Sequence, residues 1–200
     1  MLFKNIKGGG EIHTFCPKSV YYKENLYKTN EFKKHLLKVS KKQKLFRNGF
    51  INVDTSHNTN YRLEKDKIFK DLFNNILNES KIYLLELGYN KDFLDTIYIE
   101  SAWFNISKKG DSIIKHIHPG SLLSGAFYVS CGKDDEILFF GEDDMTIPPQ
   151  SFTDLSAKYI SYKCISGSIL LFKSNINHCT NSQKSNEKIT ISFNLNYKKN

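Results

Sequence analysis

Residues 187–197 put the tightest limit on what this chain can fold into. Ile189, Ile191, Phe193, Leu195 and Tyr197 alternate without interruption with Lys188, Thr190, Ser192, Asn194 and Asn196. A period of two belongs to a β-strand and sends every apolar side chain to one face and every polar one to the other. The apolar face must be covered by the rest of the molecule. On an isolated strand the polar face would meet solvent, whereas on a strand lining a barrel mouth the same row would face a ligand.

The stretches before it carry the same strand character. Segments 96–107, 112–118, 122–131, 136–140, 158–165 and 168–172 are rich in β-branched and aromatic residues, and turns at Gly110, Gly120, Gly132, Gly141 and Gly167 separate them. Upstream the period changes. Ile68, Phe69, Leu72, Phe73, Ile76, Leu77, Leu84 and Leu87 recur at three and four, which predicts a helix over 65–87 closed by Gly88. A shorter helix is expected from Asn30 to about residue 44, with Asn30 capping it and Phe32, Leu36, Leu37 and Val39 on its inner side. Residues 1–10, ending in Gly8-Gly9-Gly10, read as a loose lead-in, and a strand could begin at Glu11. Residues 48–61 read as a polar loop. The aperiodic stretch 141–157, with Pro148-Pro149, reads as a long excursion that could be a binding segment or plain surface. Helices first and about seven strands afterwards imply a mainly β fold, a sandwich or barrel braced by helices. We expect one domain over 1–200, with 1–95 a helical support and 96–200 the β core.

Composition narrows the partners. The 29 cations against 21 acids give a net charge of +8, but only Arg47 and Arg62 are arginine. Arginine forks read bases and phosphates, whereas scattered lysine is usually a solvated surface, so nucleic acid is a possible partner but not the favoured one. The densest run, Lys33, Lys34, Lys38, Lys41, Lys42 and Lys44, falls on the first expected helix. Cys16, Cys131, Cys164 and Cys179 have no C-x-x-C spacing and follow no secretory signal, so the expectation is free thiols in a reducing cytoplasm. Cys179 beside His178 suits a small buried hydrophobe better than a nucleophile. No apolar run reaches the roughly twenty residues of a membrane helix.

The chemistry concentrates in the histidines. His116 and His118 flank Ile117, and on an extended strand side chains two apart leave the same face and can close on one cation. His178 follows the apolar run Ile169-Leu170-Leu171-Phe172 and supplies a third, distant ligand. Three protein ligands leave a metal open for substrate, water or dioxygen. His13, His35 and His57 lie in the helical or loop half, without a partner at ligand spacing, and are left out. Lys188 and Thr190 share a strand face ten and twelve residues beyond His178. An ammonium beside a hydroxyl just inside such a centre is a receptor for a carboxylate, which implies an acidic cosubstrate.

The runs Trp103-Phe104-Asn105, His116-Ile117-His118-Pro119-Gly120-Ser121 and Leu123-Ser124-Gly125-Ala126-Phe127-Tyr128-Val129 resemble the H-x-H-P-x-S-x-L-S-G-x-x-Y core of a family of 2-oxoglutarate- and iron(II)-dependent oxygenases. The run Gly167-Ser168-Ile169-Leu170-Leu171-Phe172-Lys173-Ser174, then His178, then Glu187 to Asn194, is similar to that family's closing motif. The likeness spans about 101–197. It implies a double-stranded β-helix of jelly-roll or cupin type, Fe(II) on His116, His118 and His178 as the catalytic centre, and 2-oxoglutarate held by its far carboxylate at Lys188 and Thr190. By analogy Tyr128 adds a phenol hydrogen bond there, and Asn105, Ser124 and Asn194 belong to the pocket. The implied reaction uses O2 to hydroxylate a substrate with release of succinate and CO2. Two departures stand out. His118 occupies a position where most of the superfamily has a carboxylate, which makes the centre more positive by one charge, although the branch it resembles carries histidine there. Lys188 stands where arginine is frequent and offers a point charge in place of a fork. Two rivals stay open: a three-histidine cupin-like metalloenzyme that uses no 2-oxoglutarate, and a basic module that binds nucleic acid or another acidic surface. The primary substrate and the oligomeric state leave no trace in the sequence.

Overall fold

A computed structural model of the chain describes residues 2–5, 11–14, 18–47, 52–141, 151 and 157–199. Its elements in chain order are β1 (Leu2–Asn5), β2 (Glu11–Thr14), β3 (Val20–Lys23), α1 (Asn30–Lys42), β4 (Asp54–Thr55), α2 (Lys70–Glu86), α3 (Lys91–Leu94), β5 (Ile97–Lys108), β6 (Ile113–His116), β7 (Leu123–Ser130), β8 (Glu136–Phe140), β9 (Tyr159–Lys163), β10 (Ile169–Lys173), β11 (His178–Thr180) and β12 (Glu187–Tyr197). Beyond the β1-β2 pair there are two antiparallel sheets, one in the order β3-β10-β7-β12-β5-β4 and one in the order β6-β11-β8-β9. This is the double-stranded β-helix arrangement. The expected barrel is corrected in one respect: both sheets are open, and neither closes on the other through backbone hydrogen bonds.

The strand β12 sits near the middle of the larger sheet and pairs with β5 along its whole length and with β7 over Ile189 to Leu195. Its apolar face, Ile189, Ile191, Phe193 and Leu195, is completely buried against the helical layer, where Phe32 and Leu36 of α1 and Leu72, Ile76 and Leu84 of α2 join the same cluster. Burying each such side chain contributes about 1.5–3 kcal/mol, which is why the helices cannot leave this face. Gly125 of β7 lets the layers close. A methyl there would collide with the Phe193 ring and the Leu170 carbonyl.

Several sequence expectations are corrected at element ends. The second helix starts at Lys70, not at 65, because Asp66 is extended and its carboxylate accepts from the Ile68 N–H at 3.2 Å, stopping one short 3-10 turn and starting another. Its end is as expected, with Gly88 at φ +92° just past Leu87. Thr29, not Asn30, is the N-cap of α1, and it makes no side-chain cap bond. The N-terminal region is not only helical: β3 pairs with β10 and β4 with β5, so it supplies both edges of the larger sheet. Residues 2–5 pair with 11–14, so the expected loose lead-in begins with a strand. Gly8 to Gly10 and most of the expected excursion 141–157 lie outside the described residues. Among the described residues no helix is long and apolar enough to cross a membrane.

Candidate metal centre and cosubstrate pocket

On the smaller sheet, β6 and β11 run antiparallel with His116 and His178 directly opposite each other. Their rings lie 4.3 Å apart between centroids. His118 arrives by a route the sequence did not show. β6 ends at His116, so the two histidines do not share a paired strand; two residues on, the His118 N–H donates to the Ser174 carbonyl at 2.8 Å. That tertiary bond returns the ring to the cluster, 5.0 Å from His116 and stacked within 8° on His178 at 5.1 Å. The ligand nitrogens of all three lie within 4.8 Å of one another.

Their tautomers follow from their neighbours. The Nδ1 atoms of His116 and His178 face the carbonyls of Ile114 and Ile176 at 2.8 and 2.9 Å. A carbonyl only accepts, so Nδ1 carries the proton and Nε2 offers its lone pair. Nε2 of His178 lies 3.2 Å from Nε2 of His118. Two nitrogens bound at about 2.1 Å to one ion, at roughly 90–109°, stand about 3.0–3.4 Å apart, so the spacing is that of two ligands of one metal. Burial, then His116 and other neighbouring imidazoles, pushes His118 down to about 4. Burial and His116 likewise push His178, only 5% exposed and packed on Phe172 and Phe139, down to about 3. Both rings are neutral at physiological pH, the form that binds metal.

Behind the triad a cavity of about 360 Å³ runs between the two sheets. The polar face of β12, Lys188, Thr190, Ser192 and Asn194, lines it, with Asn105 and Tyr128 from the flanking strands. The polar row therefore faces a cavity between the sheets. Lys188 is 3% exposed, and among the described residues its ammonium has neither a hydrogen bond nor a salt bridge. The Tyr128 hydroxyl is also fully buried and unpartnered, and burial followed by the nearby Cys164 thiol raises the phenol well above 10. A buried cation and a buried donor, both unpaired in one cavity, each cost free energy until an acceptor arrives. Asn105 donates to Ser192 at 3.1 Å and remains in the lining. Ser124 does not reach it: its hydroxyl is spent on Ser174 and Asn194, at 2.8 Å each.

Sequence reasoning left out one residue that the fold brings in. His57 lines the same cavity, its ring 4.6 Å from that of Trp103, which in turn lies 5.9 Å from His118. The pairing of β4 with β5 carries it there, and a two-residue strand inside a polar loop gives no periodic signal. Cys131, Cys164 and Cys179 are free thiols, as expected.

Residues 101–194 match the model of a family described as "Putative 2OG-Fe(II) oxygenase". Over this stretch, just under half of the chain, the sequence is similar to the 2OG-Fe(II) oxygenase family. Solved structures agree in fold over nearly all of the chain. HygX from Streptomyces hygroscopicus, with nickel and 2-oxoglutarate bound, superposes with a TM-score of 0.59 at 12% identity, covering 90% of this chain and 83% of that one. A Pseudomonas putida prolyl-4-hydroxylase gives 0.57 at 10% identity over 91% and 94% of the two chains. The viral collagen prolyl hydroxylase of Paramecium Bursaria Chlorella virus-1, as its 2OG complex, gives 0.57 at 14% identity over 88% and 94%. No curated protein matches. Within the matched residues lie the three-histidine cluster and Lys188.

Proposed function

We propose that this chain is a non-haem Fe(II)- and 2-oxoglutarate-dependent dioxygenase that hydroxylates a substrate and releases succinate and CO2. The observation that carries the reading is the pairing of a converged histidine triad with a buried ammonium that lacks an anion, in one cavity. His116, His118 and His178 would hold the metal through Nε2. Lys188, Thr190 and Tyr128 would take the far carboxylate of the cosubstrate, and Asn105 and Asn194 would form the adjoining wall. When bound, iron and the 2-oxoacid supply the oxidising chemistry, with O2 as the oxidant.

The charges support the assignment. Imidazole ligands carry no charge of their own, so a divalent ion held by them would keep its full +2 in the cavity, and Lys188 adds one more. A dianion such as 2-oxoglutarate offsets most of that, whereas a neutral ligand leaves it uncompensated. This favours a 2-oxoacid over the cupin-like alternative. Around His178, Ile137, Phe139 and Phe172 are buried and restrict water, with the Phe172 ring tilted 4.6 Å from the His178 ring. That protects the buried Nδ1 bond of His178 to the Ile176 carbonyl. HygX and the viral enzyme, whose structures hold 2-oxoglutarate, share this fold and support the same cosubstrate here.

The test is succinate formation from 2-oxoglutarate under Fe(II) and air, comparing the wild type with His178→Ala. Loss of one of three ligands should lower turnover at least about 100-fold. Equal turnover in the two proteins would overturn the assignment.

A further inference from the structure

The lysines of α1 take on a definite arrangement in the fold. Phe32 and Leu36 are spent on the core, while Lys34, Lys38, Lys41, Lys42 and Lys44 are exposed, and none forms an ion pair with a described residue. Lys34, Lys38 and Lys41 follow the i, i+4, i+7 rule and form one stripe, spaced about 6 and 10.5 Å from the first along the axis. The single acid in the helix, Glu31, sits in its first turn, away from the C-terminal end of the stripe. Charge complementarity calls for an extended polyanion. Lysines without arginines make point contacts that fit a phosphate backbone independently of sequence.

The stripe runs into a second cavity. Beyond the C-terminus of α1, Gln43, Lys44, Phe46, Asn58, Thr59 and Asn60 line a surface pocket of about 350 Å³. Phe46 is 40% exposed, although two backbone bonds of 2.9 Å to Thr55 fix its position. An anchored aromatic ring that stays in water is available to stack on something flat. The side-chain amides of Gln43, Asn58 and Asn60 make no hydrogen bond with a described residue, so donors and acceptors surround that ring unspent. An aromatic platform rimmed by amides, approached by a row of cations, is suited to an unstacked nucleobase whose backbone lies along the lysines. Neighbouring His57 lines the oxygenase cavity, so one loop joins the two sites.

We propose that the α1 lysine stripe and the Phe46 pocket form a binding site for single-stranded nucleic acid. A base sits on Phe46 and the following phosphates lie on Lys44, Lys41 and Lys38. An anionic membrane fits less well, because the apolar face of α1 is already buried and cannot insert. The site stands apart from the metal centre and is independent of the cosubstrate assignment.

Fluorescence anisotropy with a labelled, mixed-sequence 15-nucleotide single-stranded RNA, and with the DNA of the same sequence, tests the site on the full chain without added metal. Binding should weaken with salt at a log–log slope of about −2 to −3, as about three or four phosphate contacts require. Lys38→Glu/Lys41→Glu should weaken it at least about tenfold and flatten the slope, and Phe46→Ala about tenfold with the slope unchanged. Circular dichroism and an unchanged Fe(II) titration of the variants establish that they are folded. Failure of both oligonucleotides to bind at 50 mM salt, equal binding by wild type and variants, or binding only to vesicles containing phosphatidylserine would each overturn the proposal.

Discussion

The two faces of β12 meet opposite environments. On one, Ile189, Ile191, Phe193 and Leu195 press against helices in a dry core; on the other, Lys188, Thr190, Ser192 and Asn194 look into a cavity shared with His178 and Tyr128. Side chains one residue apart thus serve different ends. The outer set is satisfied by the protein alone, while the inner set holds an unpaired cation, an unpaired phenol and desolvated imidazoles that cost stability until ligands arrive. Stability is concentrated on one face and the capacity to bind on the other.

The largest break in this comparison should come from the outer face. Phe193→Ala empties a site packed against Gly125 and should cost about 3–5 kcal/mol in urea unfolding, with any change in metal affinity traceable to the loss of fold. The inner face should respond in the opposite sense. Lys188→Met should leave the ligand-free protein as stable or more stable by about 1 kcal/mol, because a buried, unpaired ammonium is removed. In the same variant 2-oxoglutarate should bind about 30- to 100-fold more weakly by calorimetry, on the order of 2–3 kcal/mol. Lower stability with unchanged cosubstrate affinity would remove the distinction between the faces.

A smaller effect sharpens it through pH. His178 falls to about 3 in the folded protein, against 6.5 when unfolded, so below 6.5 the unfolded chain takes up a proton that the folded one refuses. Stability is therefore full above pH 6.5 and declines as the pH drops toward 3. Between pH 7 and 5.5 the metal-free wild type should lose about 1 kcal/mol more than His178→Gln, read from paired denaturation curves. Equal losses would mean that residue 178 is not the buried, neutral ring described.

Much of this was legible because period two is a property of adjacent residues. The alternation in 187–197 placed Lys188 and Thr190 on one face before any fold was known, and the apolar stretches around His178 located the third imidazole in the β region. What escaped depends on contacts between distant residues. His118 is aimed by the Ser174 carbonyl and not by a strand, and His57 is delivered by a two-residue strand. Ser124 looked like a pocket residue until its partners, Ser174 and Asn194, claimed its hydroxyl. The early break in the second helix needed the Asp66 carboxylate bond to Ile68, which competes locally with helical continuation.

Trp103, the single tryptophan of the chain, lies 5.9 Å from the His118 ring and reports directly on the triad. Anaerobic titration with Fe(II), followed by its fluorescence and by metal analysis, should show quenching that saturates at one ion per chain. The same titration of His178→Ala should require at least about 100-fold more metal. Uptake of metal by the variant as tight as by the wild type, or a full equivalent bound with Trp103 unmoved, would contradict the centre described.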